Sequence, residues 1–138
     1  MKRKLQVFLR DIFLPLFVGL CTYLLFYKGT YINSALGVES DFTFNSSLVV
    51  FVKSWLCDIL WAYAMTYALY LALFAFKHKI LFSAIISICV ATVFELFQLF
   101  GCVDGTFDIL DIVFQFLAVF FAVIIIKRRE KTWKNSYR

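Results

Sequence analysis

The chain has few residues that break helices and few that carry soluble-enzyme chemistry. It has one proline and five glycines in 138 residues. Its one histidine, His78, stands between Lys77 and Lys79. A glycine-rich phosphate loop and a His-Glu-x-x-His motif are both missing, which excludes the common nucleotide-binding and zinc-hydrolase signatures. The four cysteines, Cys21, Cys57, Cys89 and Cys102, form no Cys-x-x-Cys pair, so they do not read as a zinc or redox motif. Charged residues make up only 17% of the chain, against about 25% in an ordinary soluble domain.

Apolar residues fill that space. They make up 63% of the chain, against about 45–50% in soluble proteins. The mean hydropathy is +0.86. A chain this short cannot hide that excess in one core, so lipid must solvate much of its surface. With no linker, repeat or low-complexity tract, residues 1–138 read as a single membrane domain. The expected class is an all-α integral membrane four-helix bundle.

Charge sets the topology. Basic clusters stand at Met1–Lys4, Lys77–Lys79 and Lys127–Lys134, and Glu39, Asp41, Asp58, Glu95, Asp104, Asp108 and Asp111 fall between them. Basic loops stay on the cytoplasmic side. Four spans with both termini cytoplasmic put every basic cluster on one face of the cell membrane and these acids on or near the other. The net charge of +5 therefore reads as topology determinants and anionic-lipid contacts, not a nucleic-acid surface. Only Lys28 and Lys53 fall on the outer side.

The expected spans are about 12–27, 55–76, 80–100 and 107–126, each near the 20 residues a bilayer needs. Arg10 and Asp11 interrupt the start of the first apolar run and read as cytoplasmic-interface residues of an uncleaved span. Pro15 falls in the first turn of that run, where a missing N–H costs least. Residues 28–47 read as an outer loop, with Asn45-Ser46-Ser47 matching a glycosylation acceptor, and 48–54 as an interfacial turn. Trp55 and Trp61 suit the outer aromatic belt. Phe76–Lys79 reads as a tight inner turn and Gly101–Thr106 as a short outer one. The basic tail after Lys127 is expected to rest on headgroups. Cys57 and Cys102 lie close enough to the outer surface for a disulfide to be considered.

Polar residues inside spans usually face a protein interior or a water-filled cavity. Glu95 and Gln98 share a helix face, as do Asp108, Asp111 and Gln115. Asp58 with Trp61 makes a similar pair. Together they predict one outward-facing acidic pocket built from three spans. Its carboxylates would share protons, bind a hard divalent cation, or recruit a basic partner such as Lys53. The structural alternative runs beside each: Asp108 as a helix start, Asp111 as a second-turn acid, Gln98 and Gln115 as interhelical hydrogen-bonding groups, Lys53 as a snorkelling lysine. No nucleophile–base pair is visible, because Ser46 and Ser47 have no histidine on their side.

Phe94-Glu95-Leu96-Phe97-Gln98, a short turn, then Gly105-Thr106-Phe107-Asp108-Ile109-Leu110-Asp111 resembles the VanZ-like membrane proteins. Asp58-Ile59-Leu60-Trp61-Ala62-Tyr63 is similar to the opening of that family's preceding span. The resemblance covers about Asp58 to Ala118. Three positions depart from the pattern: the turn lacks the family's Arg, and Gln115 and Ala118 stand where Asn and Gly are common. The missing Arg removes a ready counter-charge for the carboxylates. The resemblance implies a small helical membrane protein of the cell envelope, with some relatives linked to resistance to glycopeptide antibiotics such as teicoplanin.

The expected function is a pocket that binds a polar lipid, a glycopeptide or a cation, with membrane lipids as constant partners and no resident cofactor. Two alternatives stand beside it. One is a metal-dependent lipid-modifying enzyme using Asp108, Asp111 and Glu95 with a divalent cation. The other is a small cation- or proton-coupled carrier, which the lack of an inner-half carboxylate in spans two to four disfavours.

Overall fold

The computed structural model describes residues 2–26, 37, 47–103 and 107–135, without the side chains of 2–4, 26, 47, 48, 53 and 133–135. Most of the expected outer loop, including Asn45, and residues 104–106 of the short outer turn lie outside the described residues, as does the Lys53 side chain.

Every element among the described residues is helical. Four helices are long and apolar enough to cross a membrane: Leu5–Leu25, Val49–Ala72, Lys79–Leu99 and Ile109–Thr132. At 21 residues the shortest of them are about 32 Å long at 1.5 Å per residue, enough for a hydrocarbon core of about 30 Å. The protein is a multi-pass membrane bundle. Below, these are the first to fourth helices.

The first helix begins at Lys2 and continues to Phe26, so Pro15 lies in its interior and not in its first turn. An interior proline removes one hydrogen bond and crowds the carbonyl four residues back, here that of Asp11. The helix adjusts just upstream. Phe8–Phe13 is a π-helical turn, and the Leu14 N–H donates to the carbonyl of Leu9, five residues back. Asp11 sits in that widened turn.

The second helix also differs from expectation. Ser47–Phe51, a π-helical turn at Val52–Leu56 and Cys57–Ala72 run on without the break expected at 48–54. It stops at Ala72, and the turn to the third helix occupies 73–78, where His78 is exposed. The fourth helix does not end at Lys127. It continues through the basic cluster to Asn135.

The third helix closes with a glycine motif. Gly101 has φ +66, its N–H donates to the Gln98 carbonyl, and the Cys102 N–H donates to the Phe97 carbonyl at 2.8 Å. Those two bonds satisfy carbonyls the helix end would otherwise leave bare. Asp108 then starts the fourth helix, its Oδ1 accepting from the Leu110 N–H at 2.9 Å. Two well-formed helix ends thus bracket a short return that brings the third and fourth helices side by side.

The second helix is the hub, packing against all three others, while the third and fourth also pack together. The buried residues are mostly small or polar: Ala62, Ala64, Ala91, Ala118, Ala122, Thr66, Ser83 and Ser87. Large apolar side chains such as Phe17, Phe82, Phe94, Phe97, Phe120 and Phe121 point outward. Lipid gives apolar groups no reason to hide, so helices associate through close backbone approach and interhelical hydrogen bonds. Thr66 Oγ1 takes part in one such bond, 3.1 Å from Ser87 Oγ across the second and third helices, while donating to the Ala62 carbonyl at 2.8 Å. Tyr67, Tyr70, Val7, Ile12, Ala122 and Ile126 form the larger apolar core near the end that carries the N-terminus.

Candidate functional site

The bundle has two polar ends of opposite character. At the end formed by the return from the third to the fourth helix, three helices bring carboxylates together. On the third helix Ser83, Ser87, Ala91 and Glu95 recur every four residues and all are buried, a stripe facing the bundle interior. Glu95 ends that stripe, only 3% exposed. Gln115 of the fourth helix is equally buried, and its Nε2 donates to Glu95 Oε1 at 3.4 Å. Asp58 of the second helix lies beside the Gln115 amide. Asp111 lies within electrostatic reach of Asp58, Glu95 and Asp108.

Five of the seven expected site residues therefore meet: Asp58, Glu95, Asp108, Asp111 and Gln115. Their roles differ. Asp108 spends one carboxylate oxygen on the helix cap, and its main chain approaches the Glu95 carboxylate. Gln115 links Glu95 to Asp58. Trp61 packs edge-on against Phe94 of the third helix, ring centroids 5.9 Å apart. Gln98 is half-buried and takes part through its main-chain carbonyl in the helix end.

Among the described residues, no cation is ion-paired with any of these acids. No three His, Cys, Asp or Glu side chains among the described residues are placed to hold a metal ion together. Two atoms of the cluster are buried without a hydrogen-bond partner, Glu95 Oε2 and Gln115 Oε1. Trp55 Nε1 is a third such atom nearby. Its ring packs on Phe51 and on Phe114 of the fourth helix, so Trp55 belongs partly to the bundle and not simply to an interfacial belt. Cys57 and Cys102 are free, and the Cys57 thiol donates to the Gly19 carbonyl at 3.5 Å, so the considered disulfide does not form.

At the opposite end, acids and cations are matched. Asp11 is 3% exposed, turned into the bundle. Arg129 of the fourth helix grips it with both guanidinium arms, Nη1 donating to Oδ2 and Nη2 to Oδ1 at 3.0 Å. Tyr63 Oη donates to the same carboxylate at 3.2 Å. The Arg129 guanidinium also lies 5.4 Å from the centre of the Tyr67 ring. Beside this pair, Lys79 Nζ lies 2.8 Å from Glu130 Oε1, and Tyr70 Oη donates to the same oxygen at 2.8 Å.

Sequence reasoning missed this second network. It assigned Asp11 to the interface and Arg129 and Lys79 to headgroups, and it ended the fourth helix before Glu130. One signal was available. Arg128-Arg129-Glu130 extends the helical period of the fourth span, and an acid four residues before a proline inside a span needs a partner.

No family model matches the chain, and neither a curated protein nor a solved structure matches it.

Proposed function

We propose that the protein is a cell-membrane protein of the envelope, both termini cytoplasmic, whose outward acidic end receives a cationic group of an envelope lipid or glycopeptide. The exposed basic residues Lys77, Lys127, Arg128 and Lys131, gathered at one end, support this orientation by the positive-inside rule. The observation that carries the binding reading is the contrast between the ends. Asp11 and Glu130 each have their own cation, whereas Asp58, Glu95 and Asp111 face one another with none among the described side chains. Carboxylates so placed favour an arriving positive charge.

An ammonium-bearing group suits the spacing better than a bare divalent ion. A hard cation needs several oxygens around one point. Here the carboxylates come from three helices without converging that closely. The same spacing weighs against the metal-dependent lipid-modifying reading. The VanZ-like pattern in Asp58–Ala118 is a reason to make glycopeptide antibiotics the first ligands tried.

The test is Glu95→Ala with Asp111→Ala, made separately and together, in the intact membrane protein. Teicoplanin binding in nanodiscs and susceptibility of the expressing cells are measured, with thermal unfolding as the folding control. Folded variants that lose binding and change susceptibility support the reading. Folded variants with unchanged binding and susceptibility remove the pocket from it.

A cation- or proton-carrier reading draws on one observation, the Thr66–Ser87 hydroxyl pair buried between the two polar ends. Flux through purified protein in liposomes separates it from simple binding.

A further inference from the structure

We propose that the Glu95–Gln115 pair is a proton-binding site, in which a proton on Glu95 Oε2 donates to Gln115 Oε1 and closes a two-bond ring between the third and fourth helices. One bond of that ring is already formed, from Gln115 Nε2 to Glu95 Oε1 at 3.4 Å. The two atoms that complete it, Glu95 Oε2 and Gln115 Oε1, are buried and unpartnered. Both are acceptors when Glu95 is ionised, so neither can satisfy the other. Adding one proton turns one of them into a donor. The two orphaned atoms then belong to a single acid–amide pair, on side chains that are both only 3% exposed.

The charged groups around Glu95 oppose its ionised form, and among the described residues only the Gln115 amide and the Asp108 main chain that approach its carboxylate favour it. The titratable groups facing it are Asp58 from the second helix and Asp108 and Asp111 from the fourth, all carboxylates. A charge on Glu95 would be the fourth negative charge in the cluster, in a segment surrounded by lipid. Among the described side chains no cation faces it. The proposal goes beyond ligand binding at the acidic end, because the proton is bound before any ligand arrives. It also separates the acids by role: Glu95 neutral and structural in its resting form, Asp58 and Asp111 left to meet a positive charge.

The experiment is infrared spectroscopy of the full chain in liposomes at neutral pH, in light and heavy water, on wild type, Glu95→Gln and Glu95→Ala. The expected result is a protonated-carboxyl band that shifts in heavy water and disappears in Glu95→Gln. Thermal unfolding of the same samples gives the second readout. Gln at position 95 carries its own N–H donor and keeps both bonds of the ring, so Glu95→Gln unfolds within a few degrees of wild type while Glu95→Ala unfolds earlier. Absence of a protonated-carboxyl band that Glu95→Gln removes overturns the proposal. So does a Glu95→Gln protein as unstable as Glu95→Ala, since that result means the negative charge was what the site required. Wild-type protein that shows the band but binds no teicoplanin would instead count against the function proposed above.

Discussion

Asp11 and Arg129 stand 118 positions apart in the chain and are joined by two hydrogen bonds that tie the first helix to the fourth. Asp11 is almost fully buried, while the Arg129 side chain keeps 23% exposure. Removing the acid strands a guanidinium inside the bundle. Asp11→Ala is expected to cost about 3 kcal/mol, the low end for a broken buried pair, because Arg129 retains access to water. Asp11→Ala with Arg129→Met should recover much of that loss, since an apolar pair leaves no unpaired charge. Thermal unfolding in detergent, read as a double-mutant cycle, checks both expectations.

Gly101 adopts a left-handed conformation at the end of the third helix, and a Cβ added there meets nothing within 4 Å. The cost of Gly101→Ala is therefore backbone strain alone, about 1–2 kcal/mol. Unfolding temperature should fall accordingly, with no change in the spectroscopic helix content. A neutral substitution would mean that the helix does not close through this motif.

Ala122 is completely buried where the fourth helix meets Tyr67 and Tyr70 of the second. Ala122→Leu forces the helices apart and should destabilise by about 1–3 kcal/mol. The same substitution at Phe121, which is 57% exposed, changes only a lipid-facing surface and should be near neutral. Comparing the two unfolding curves tests which face of the fourth helix is the packed one.

Thr66→Val removes the hydroxyl that bridges the Ala62 carbonyl and Ser87 Oγ while keeping the side-chain shape. Interhelical hydrogen bonds in membranes average about 0.6 kcal/mol, so a small loss of stability is expected. A loss of several kcal/mol would place Thr66 in a larger polar network than the Ser87 contact alone.

The four spans and the acidic cluster were legible because both follow local rules. Apolar runs of bilayer length mark helices, and Glu95, Asp111 and Gln115 stand at positions whose helical spacing turns them to one side. Asp108 was visible as a helix start for the same reason. The matched end was not legible. Whether Asp11 faces lipid headgroups or Arg129 depends on the rotation of two helices more than a hundred residues apart, and hydropathy carries no information about rotation. A positively charged cluster after a span also reads as its end, which hid the continuation through Glu130 to Asn135. The π-helical turns were invisible because they change hydrogen-bond partners without changing composition.

The most direct test of the acidic site joins Glu95 to Gln115 covalently. With Cys21, Cys57, Cys89 and Cys102 replaced by alanine, Glu95→Cys and Gln115→Cys are introduced together and treated in the membrane with a short bifunctional methanethiosulfonate reagent, whose spacer replaces the reach of the two long side chains that now touch at 3.4 Å. The account predicts efficient intramolecular cross-linking, seen as two fragments that stay linked after cleavage in the 100–108 turn and separate on reduction. Failure to cross-link in a folded protein, while control pairs elsewhere between the third and fourth helices do, would contradict the meeting of these helices at Glu95 and remove the site built on it.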